Sequence, residues 1–287
     1  MNPKTIALRL YSALRTQHSA LLLTLLVALP AVAAKPVTIK GSDTMVIMNA
    51  RLAEAFMAAN PGTQIQVTGG GSGVGIAALI NGTTDVAASS RPIKTSEIDK
   101  LKARFATVGN SYPIARDGLA VYLNERNPVR ELSLAQLRDI YTGRITNWKE
   151  VGGNDAQIIL YSRENSSGTY TYFKDNVLMD KDYSPRAQTL QGTAAVVNAV
   201  ANDANGIGYG GAAYAKGIRF AAVRKDTKGP AYTPSMETVR NGQYPITRFL
   251  YLYTRTKPSG DLKKFIDWSL TPQGQELVTK VGYFPVK

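Results

Sequence analysis

Short apolar segments with strand character alternate with helical patterns along the first third of the chain. Segments 37–40, 63–68 and 85–88 have the alternating or β-branched composition typical of strands. Segments 44 to about 59 and 97–104 read as helices, the first with apolar residues at helical spacing, and Thr95 or Ser96 is expected to cap the latter. Between them, a helix through Ile80 is predicted to follow the glycine-rich stretch 69–75. This βαβαβα order predicts a parallel sheet with helices on its faces.

The alternation continues to the end of the chain. Strands are predicted at 119–123, 158–162, 206–209 and 247–255. Helices are predicted at 134–141, 170–178, 192–201, 262–269 and 272–281, the first of them capped by Ser133. We place passages between two lobes at 113–118 and 245–248. We therefore expect an α/β fold with lobe one at 35–115 and 247–287 and lobe two at 116–246.

The first 34 residues are typical of a cleaved signal peptide. Lys4, Arg9 and Arg15 precede an apolar run at 20–29, and small residues follow Pro30. A membrane anchor is the alternative, but the apolar run is too short to span a bilayer comfortably. No Cys follows the run, so a bacterial lipid anchor is not available. We expect an exported protein, periplasmic or secreted.

The composition excludes several kinds of active site. Of 287 residues, 44% are hydrophobic and 19% are charged, which are values typical of globular proteins. The chain has no Cys, and its one His, His18, lies in the segment predicted to be removed. The remaining chain cannot build a Ser-His-Asp triad, a Cys-His pair or an ordinary zinc site. We expect no catalytic residues, no metal site and no cofactor.

The chain is basic, with 34 Lys+Arg against 21 Asp+Glu and a formal net charge of +13. Its basic residues are scattered, without a long Lys/Arg run or a basic stripe with interleaved aromatic residues. We therefore do not expect nucleic acid to be the primary partner. A solvated basic face would draw smaller anions toward the molecule.

Three turns of similar composition each follow a predicted strand and open a predicted helix. They are Gly-Ser-Asp-Thr at 41–44, Gly-Ser-Gly at 71–73 and Ser-Ser-Gly-Thr at 166–169. A helix N-terminus presents unpaired N–H groups and binds anions, and glycine lets the backbone approach a ligand closely. The hydroxyls could instead serve only as helix caps. None of the turns is a P-loop or a dinucleotide fingerprint.

Two arginines lie beside these turns. Arg91 follows two serines, and Arg163 precedes the third turn. The guanidinium group offers fixed parallel donors that match a tetrahedral oxyanion. Either arginine could form a salt bridge instead, and this alternative is stronger for Arg91, which has no helix-opening turn directly after it.

At these turns the sequence resembles the substrate-binding proteins of phosphate ABC transporters, the PstS type, over nearly all of the chain after residue 34. The specific segments are 69–75, 85–91 and 163–169, with further landmarks at 143–148 and 205–209. The resemblance implies a two-lobed type II periplasmic binding fold with mixed, mostly parallel sheets and a hinge. It also implies capture of inorganic phosphate for delivery to ABC transporter permease subunits, no enzymatic activity, and membrane contact only through the permease.

The resemblance also implies which residues hold phosphate. They would be, from lobe one, Thr44, the Met45 N–H, Ser72 and Ser90 and, from lobe two, Arg163, Ser167, the Gly168 N–H and Thr169; we add Arg91 from its position.

Two positions depart from the pattern of the family. Asn165 stands where relatives commonly carry a carboxylate partner of the arginine, and Ser90 where many carry the Asp that accepts the phosphate proton. Asp43 is the nearest carboxylate in sequence to any of these ligands. We predict that Asp43 replaces that acceptor, with capping of the following helix as the alternative.

Other functions remain open at this point. The same fold could hold sulfate, molybdate or tungstate. A basic secreted protein could bind polyanions or a matrix through its net charge, and such binding would fade steeply with salt. A secreted phosphatase could use Thr44 or Ser167 as nucleophile, but it would lack a His base and clustered metal ligands.

Overall fold

The computed structural model describes residues 35–214 and 217–286. The predicted signal peptide at 1–34 lies outside these residues. Within the described part of the chain, no helix is long and apolar enough to cross a membrane.

The first third of the described chain forms the predicted βαβαβα unit. Strands β1 (Val37–Gly41), β2 (Ile65–Thr68) and β3 (Val86–Ser89) are parallel, with β1 between the other two. Helix α1 (Val46–Ala59) follows a 3-10 turn at Asp43–Met45, and α2 (Ser72–Asn81) follows β2. Each turn between strand and helix is therefore at the carboxyl edge of a parallel sheet, where ligands bind in α/β folds.

Helix α3 (Thr95–Phe105) begins two residues earlier than predicted. The N-cap residue is Lys94, whose N–H donates to Glu97 Oε2 at 2.8 Å. The predicted cap at Thr95 or Ser96 was therefore wrong. The carboxylate of Glu97 satisfies the free N–H at the helix start, a role that the prediction gave to a hydroxyl.

Strand β4 (Asn110–Leu123) is 14 residues long, whereas the pattern predicted a strand only from 119. It pairs with the antiparallel strand β11 (Thr247–Thr254), and the pairing shifts register between Leu250 and Tyr251, where Pro113 lies opposite Tyr251. Proline has no N–H to donate, so it is tolerated within a strand at such an irregularity. The predicted passage at 113–118 is thus an uninterrupted strand.

The elements between β4 and β11 are short and mixed. The helices are α4 (Leu134–Tyr141), α5 (Gly168–Asn176), α6 (Thr193–Asn202) and α7 (Met236–Arg240). The strands are β5 (Glu131–Ser133), β6 (Ile159–Arg163), β7 (Gln188–Leu190), β8 (Gly206–Gly211), β9 (Arg219–Arg224) and β10 (Ala231–Tyr232). Further 3-10 turns lie at Trp148–Val151 and Ala212–Tyr214, and the chain closes with α8 (Gly260–Ser269) and α9 (Pro272–Val281).

The strands join in the order β2-β1-β3-β11-β4-β8-β6-β7, with β5, β9 and β10 beside this path. Parallel pairs lie toward its two ends, whereas β4 and β11 are antiparallel to each neighbour on the path. Antiparallel pairs are as frequent as parallel ones. The sheet is therefore mixed, and less parallel than expected, because the two long central strands run against their neighbours.

Buried apolar side chains form two large clusters. One contains Ile39, Leu52 and Leu252, and the other contains Trp148 and Tyr209. Strand β4 contributes its first half to one cluster and its second half to the other, since 114–115 belong to the first and Leu119, Val121 and Leu123 to the second. Strand β4 therefore crosses from one core to the other, and β11 pairs with its first part, from Asn110 to Gly118.

Candidate functional site

The three turns singled out in the sequence meet in the folded chain. Thr44 Oγ1 lies 3.0 Å from Thr169 Oγ1, although 125 residues separate them in the chain. Ser72 Oγ lies 3.3 Å from Ser90 Oγ and accepts the Ser90 N–H at 3.0 Å. All four side chains are buried. With Ser167, they form what we call the hydroxyl cluster.

Gly168, the first residue of α5, joins the two pairs of hydroxyls. A Cβ built on Gly168 would lie 2.3 Å from Ser72 Oγ and 2.7 Å from Ser90 Oγ, so no larger residue fits. Ser167 is the N-cap of α5, and its Oγ accepts the N–H groups of Thr169 at 3.1 Å and Tyr170 at 3.3 Å. The Ser167 hydroxyl proton can still be donated, so capping and anion binding are compatible for this residue.

Arg163 ends β6 and is almost completely buried beside the cluster. Its Nε and Nη2 donate to the two carboxylate oxygens of Glu164 at 3.0 and 2.8 Å. Nη2 also donates to Asp43 Oδ2 at 3.0 Å, and Nη1 donates to Thr193 Oγ1 at 2.9 Å. A guanidinium group has five N–H donors, so these bonds leave one donor of Nη1 for a ligand.

Two carboxylates hold this arginine in place, and only one of them was expected near the site. Asp43 also accepts the Gly70 N–H on Oδ1 at 2.9 Å and forms no side-chain cap to its own helix. The capping alternative for Asp43 is therefore not what the structure shows. Asn165 is exposed, and Glu164, one position earlier, supplies a carboxylate partner of Arg163. An acidic residue directly after Arg163 was the signal that sequence reasoning missed.

The structure does not bring two of the predicted ligand groups to the cluster. Arg91 is buried, but its Nη1 and Nη2 donate to the carboxylate of Glu97 at 2.9 and 2.7 Å. This ion pair fixes the start of α3, so Arg91 forms the salt bridge that was stated as its alternative role. The Met45 N–H donates to the Ser42 carbonyl at 2.9 Å, because the 3-10 turn closes on this bond.

Three buried or half-buried tyrosines support the backbone around the cluster. The hydroxyl of Tyr214 donates to the carbonyl of Asp43 at 2.7 Å, and that of Tyr283 donates to the carbonyl of Thr44. Tyr122 donates to the carbonyl of Gly211 at 2.6 Å. Burial, with a contribution from the charge of Asp43, raises the pKa of Tyr214 to about 12, so this hydroxyl remains a donor at neutral pH. Sequence reasoning missed all three.

A cleft of about 350 Å³ opens beside Arg163 and is lined by Asp43, Gly70, Glu164, Ser166, Gln191 and Gly192. Across it, Ser166 Oγ donates to the Gly70 carbonyl at 3.3 Å and the Gly73 N–H donates to the Ser166 carbonyl at 2.8 Å. Hydrogen bonds between Ser166 and the segment 70–73 therefore close the site beside the cluster. In the described ranges, no three His, Cys, Asp or Glu side chains are grouped to hold a metal ion.

Comparison with known proteins agrees with this geometry. Residues 27–273 match the family model of the PBP superfamily domain. The chain is 30% identical over 263 residues to the phosphate-binding protein PstS of Pseudomonas aeruginosa, covering 86% of this chain and 81% of that protein. It is 32% identical over 250 residues to the phosphate-binding protein PstS of Bacillus subtilis, covering 87% and 80%.

Solved structures show the same architecture. A Clostridium perfringens protein, described as a phosphate ABC transporter substrate-binding protein and crystallised with bound phosphate, superposes with a TM-score of 0.79 at 32% identity. The match covers 88% of this chain and all of that one. An ABC-type phosphate transport receptor from Vibrio cholerae superposes with a TM-score of 0.69 at 29% identity, covering 86% and 99%. The predicted two-lobed type II periplasmic binding fold is confirmed.

Proposed function

Because this chain belongs to the PBP superfamily, and within it to the family of phosphate-binding proteins PstS, we propose that it binds inorganic phosphate between its two lobes. The bound phosphate is then delivered to the permease subunits of an ABC transporter. The role is capture and release, without a chemical step.

The observation that carries this proposal is the hydroxyl cluster together with a buried arginine, Arg163, that donates to Asp43, the residue before Thr44. Thr44, Ser72 and Ser90 come from one half of the chain, and Ser167 and Thr169 come from the other. Hydroxyls can donate to a charged phosphate oxygen or accept from a protonated one, which suits an anion that is partly protonated at neutral pH. Arg163 supplies the counter-charge.

The two apolar clusters suggest how the site opens. We assign lobe one to 35–115 and 247–287 and lobe two to 116–246, with β4 and β11 as the hinge. Phe284 is an exception, since it packs with the second cluster and bridges Arg116. Thr44 and Thr169, whose hydroxyls are in contact, fall in different lobes of this assignment, so we infer that phosphate enters when the lobes separate.

The lobe contacts also favour binding over hydrolysis. Thr44 Oγ1 contacts another hydroxyl, and Ser167 Oγ accepts two N–H groups, so neither faces a general base. Among the proteins compared, the family is one of phosphate-binding and transport proteins. A signal peptide at 1–34 would place the protein outside the cytoplasmic membrane, where it would meet the permease.

Calorimetric titration tests the proposal. Phosphate should bind one-to-one, raise the melting temperature by mass action and reduce the radius of gyration in solution scattering as the lobes close. Sulfate, molybdate and a phosphate ester are titrated in parallel to decide between tetrahedral anions. No thermal shift at millimolar phosphate would overturn the proposal. Equal affinity for phosphate and sulfate would overturn phosphate as the preferred ligand but leave the anion site in place.

A further inference from the structure

A second buried ion pair lies on the paired strands β4 and β11, directly beside the hydroxyl cluster. Asp117 of β4 and Arg248 of β11 are partners in the strand register, and their side chains are 0% and 1% exposed. Arg248 donates through Nε at 3.0 Å and through Nη2 at 2.8 Å, and both bonds go to the same oxygen, Asp117 Oδ2. The other oxygen, Oδ1, is left out of the pair.

Within residues 35–214 and 217–286, Asp117 Oδ1 is buried and has no hydrogen-bond partner. An ionised carboxylate oxygen only accepts, and burying it without a donor is unfavourable. Burial is the main cause that raises the pKa of five nearby tyrosines, and the negative charge of Asp117 contributes further in each case. These are Tyr122, Tyr172, Tyr214, Tyr244 and Tyr283. Each donates its one hydroxyl hydrogen to a main-chain carbonyl instead.

The unpaired oxygen faces the phosphate site across a gap left by Gly211. A Cβ built on Gly211 would lie 3.2 Å from Asp117 Oδ1 and 3.2 Å from Thr44 Cγ2. The space between the carboxylate and the side chain of Thr44 is therefore about the width of a methyl group. Thr44 Oγ1 belongs to the hydroxyl cluster, so this space adjoins the ligand.

We propose that Asp117 is a specificity-determining residue, whose Oδ1 accepts a hydrogen bond from the O–H of a protonated tetrahedral anion. Phosphate carries such a proton at neutral pH, and sulfate does not. Sulfate would place an unprotonated oxygen against a carboxylate that has no proton to give. This inference rests on the proposed function and names how the site distinguishes between two anions of the same shape.

The other carboxylates beside the site are already occupied. Asp43 accepts from the Gly70 N–H on one oxygen and from Arg163 on the other. Both oxygens of Glu164 accept from Arg163. The acceptor role predicted for Asp43 therefore falls to Asp117, and Asp43 instead positions Arg163.

The test compares the ratio of the sulfate and phosphate dissociation constants, measured by calorimetry at neutral pH, in the unmodified chain and in two variants. Asp117→Asn can donate to sulfate, so the ratio should fall about 10- to 100-fold. Gly211→Ala fills the gap without changing any charge, and it should weaken phosphate and lower the ratio as well. Asp139→Asn is the control, because among the described residues Asp139 in α4 also has a buried oxygen without a hydrogen-bond partner, with Arg144 Nη1 at 3.4 Å from it.

The outcomes separate this inference from the proposed function. If the unmodified chain prefers phosphate and Gly211→Ala keeps that preference, the inference is overturned. This outcome decides the matter even where Asp117→Asn does not fold because it has lost its ion pair with Arg248. Circular dichroism and melting temperature establish folding for each variant. If Asp139→Asn changes the ratio as much as Asp117→Asn does, the effect is general and the inference is also overturned. A chain that binds neither anion would overturn the proposed function itself.

Discussion

Replacing Arg163 by alanine removes the counter-charge of the phosphate site. In the structure, four of the five guanidinium donors already bond to Glu164, Asp43 and Thr193, so one donor of Nη1 is left for phosphate. One hydrogen bond to a charged group contributes about 1.5–3 kcal/mol, which corresponds to roughly a 13- to 160-fold change in affinity. The loss also leaves two carboxylates unpaired beside the anion, so we expect a weakening of at least about 13-fold.

Arg91→Ala is a matched control. Like Arg163, Arg91 is buried and holds a carboxylate through two nitrogens, but its partner Glu97 belongs to α3. The Asp43 and Glu97 side chains are 20% and 17% exposed, so the carboxylates freed by either variant can regain water. Both variants should therefore lower the melting temperature, at a cost near the lower end of the roughly 3–5 kcal/mol for breaking a buried pair.

Calorimetric titration with phosphate distinguishes the two arginines. Only Arg163→Ala should lose affinity, and Arg163→Lys should recover part of it, since an ammonium group keeps the charge without the fork. The reasoning is refuted if Arg163→Ala binds phosphate within threefold of the unmodified chain. It is also refuted if Arg91→Ala weakens binding as much, because Arg91 would then be the ligand that its sequence position suggested.

Three further changes test other parts of the structure. Gly168→Ala should abolish closure of the lobes on phosphate, because its Cβ would lie 2.3 Å from Ser72 Oγ, and the radius of gyration should then stay unchanged when phosphate is added. Gly229→Ala is the control, since a Cβ there has no atom of the described residues within 4 Å. Tyr283→Phe should destabilise the chain by about 1 kcal/mol and weaken phosphate, since it removes the donor to the Thr44 carbonyl; equal melting curves would contradict this. Burial raises the pKa of Glu97, but hydrogen bonds from Arg91 and the Lys94 N–H together lower it more, so the net pKa lies below the usual Glu value. Glu97→Gln should therefore lower the melting temperature at pH 7, and the difference should shrink as the pH falls through the folded pKa; a difference that persists at pH 2 would contradict the assignment.

Strands β4 and β11 connect phosphate binding to movement of the lobes. Strand β4 packs in both apolar cores, and its pair Asp117–Arg248 lies at the junction beside Thr44. A change at this pair should therefore affect the packing of both lobes and the affinity of the ligand site. The specificity test above measures affinity and folding together for this reason.

Local sequence was sufficient for the elements whose signals lie within a few residues. Ser133 was expected to cap a helix at 134–141, and its Oγ accepts the Gln136 N–H at 3.1 Å. The turns at 41–44, 71–73 and 166–169 all open helices, as predicted. Short strands such as β7 and β10 were missed, because two or three residues carry no periodicity.

Motif order and spacing, through the resemblance they carry, were also enough for the family and for most of the cluster. Thr44, Ser72, Ser90, Ser167 and Thr169 come together as expected, since the carboxyl ends of parallel strands meet at one edge of a sheet. Their role as phosphate ligands stays a prediction for titration to test.

The hydrogen-bond partners of the charged groups could not be predicted from the sequence. Arg163 bonds to Asp43 across 120 residues, Tyr283 to the Thr44 carbonyl across 239, and Asp117 to Arg248 across 131. Arg91 and Arg163 both lie at the carboxyl end of a strand, yet one donates to Glu97 and the other to Glu164, Asp43 and Thr193. Side-chain direction and pairing between distant segments depend on strand register and lobe packing, and no local pattern encodes them.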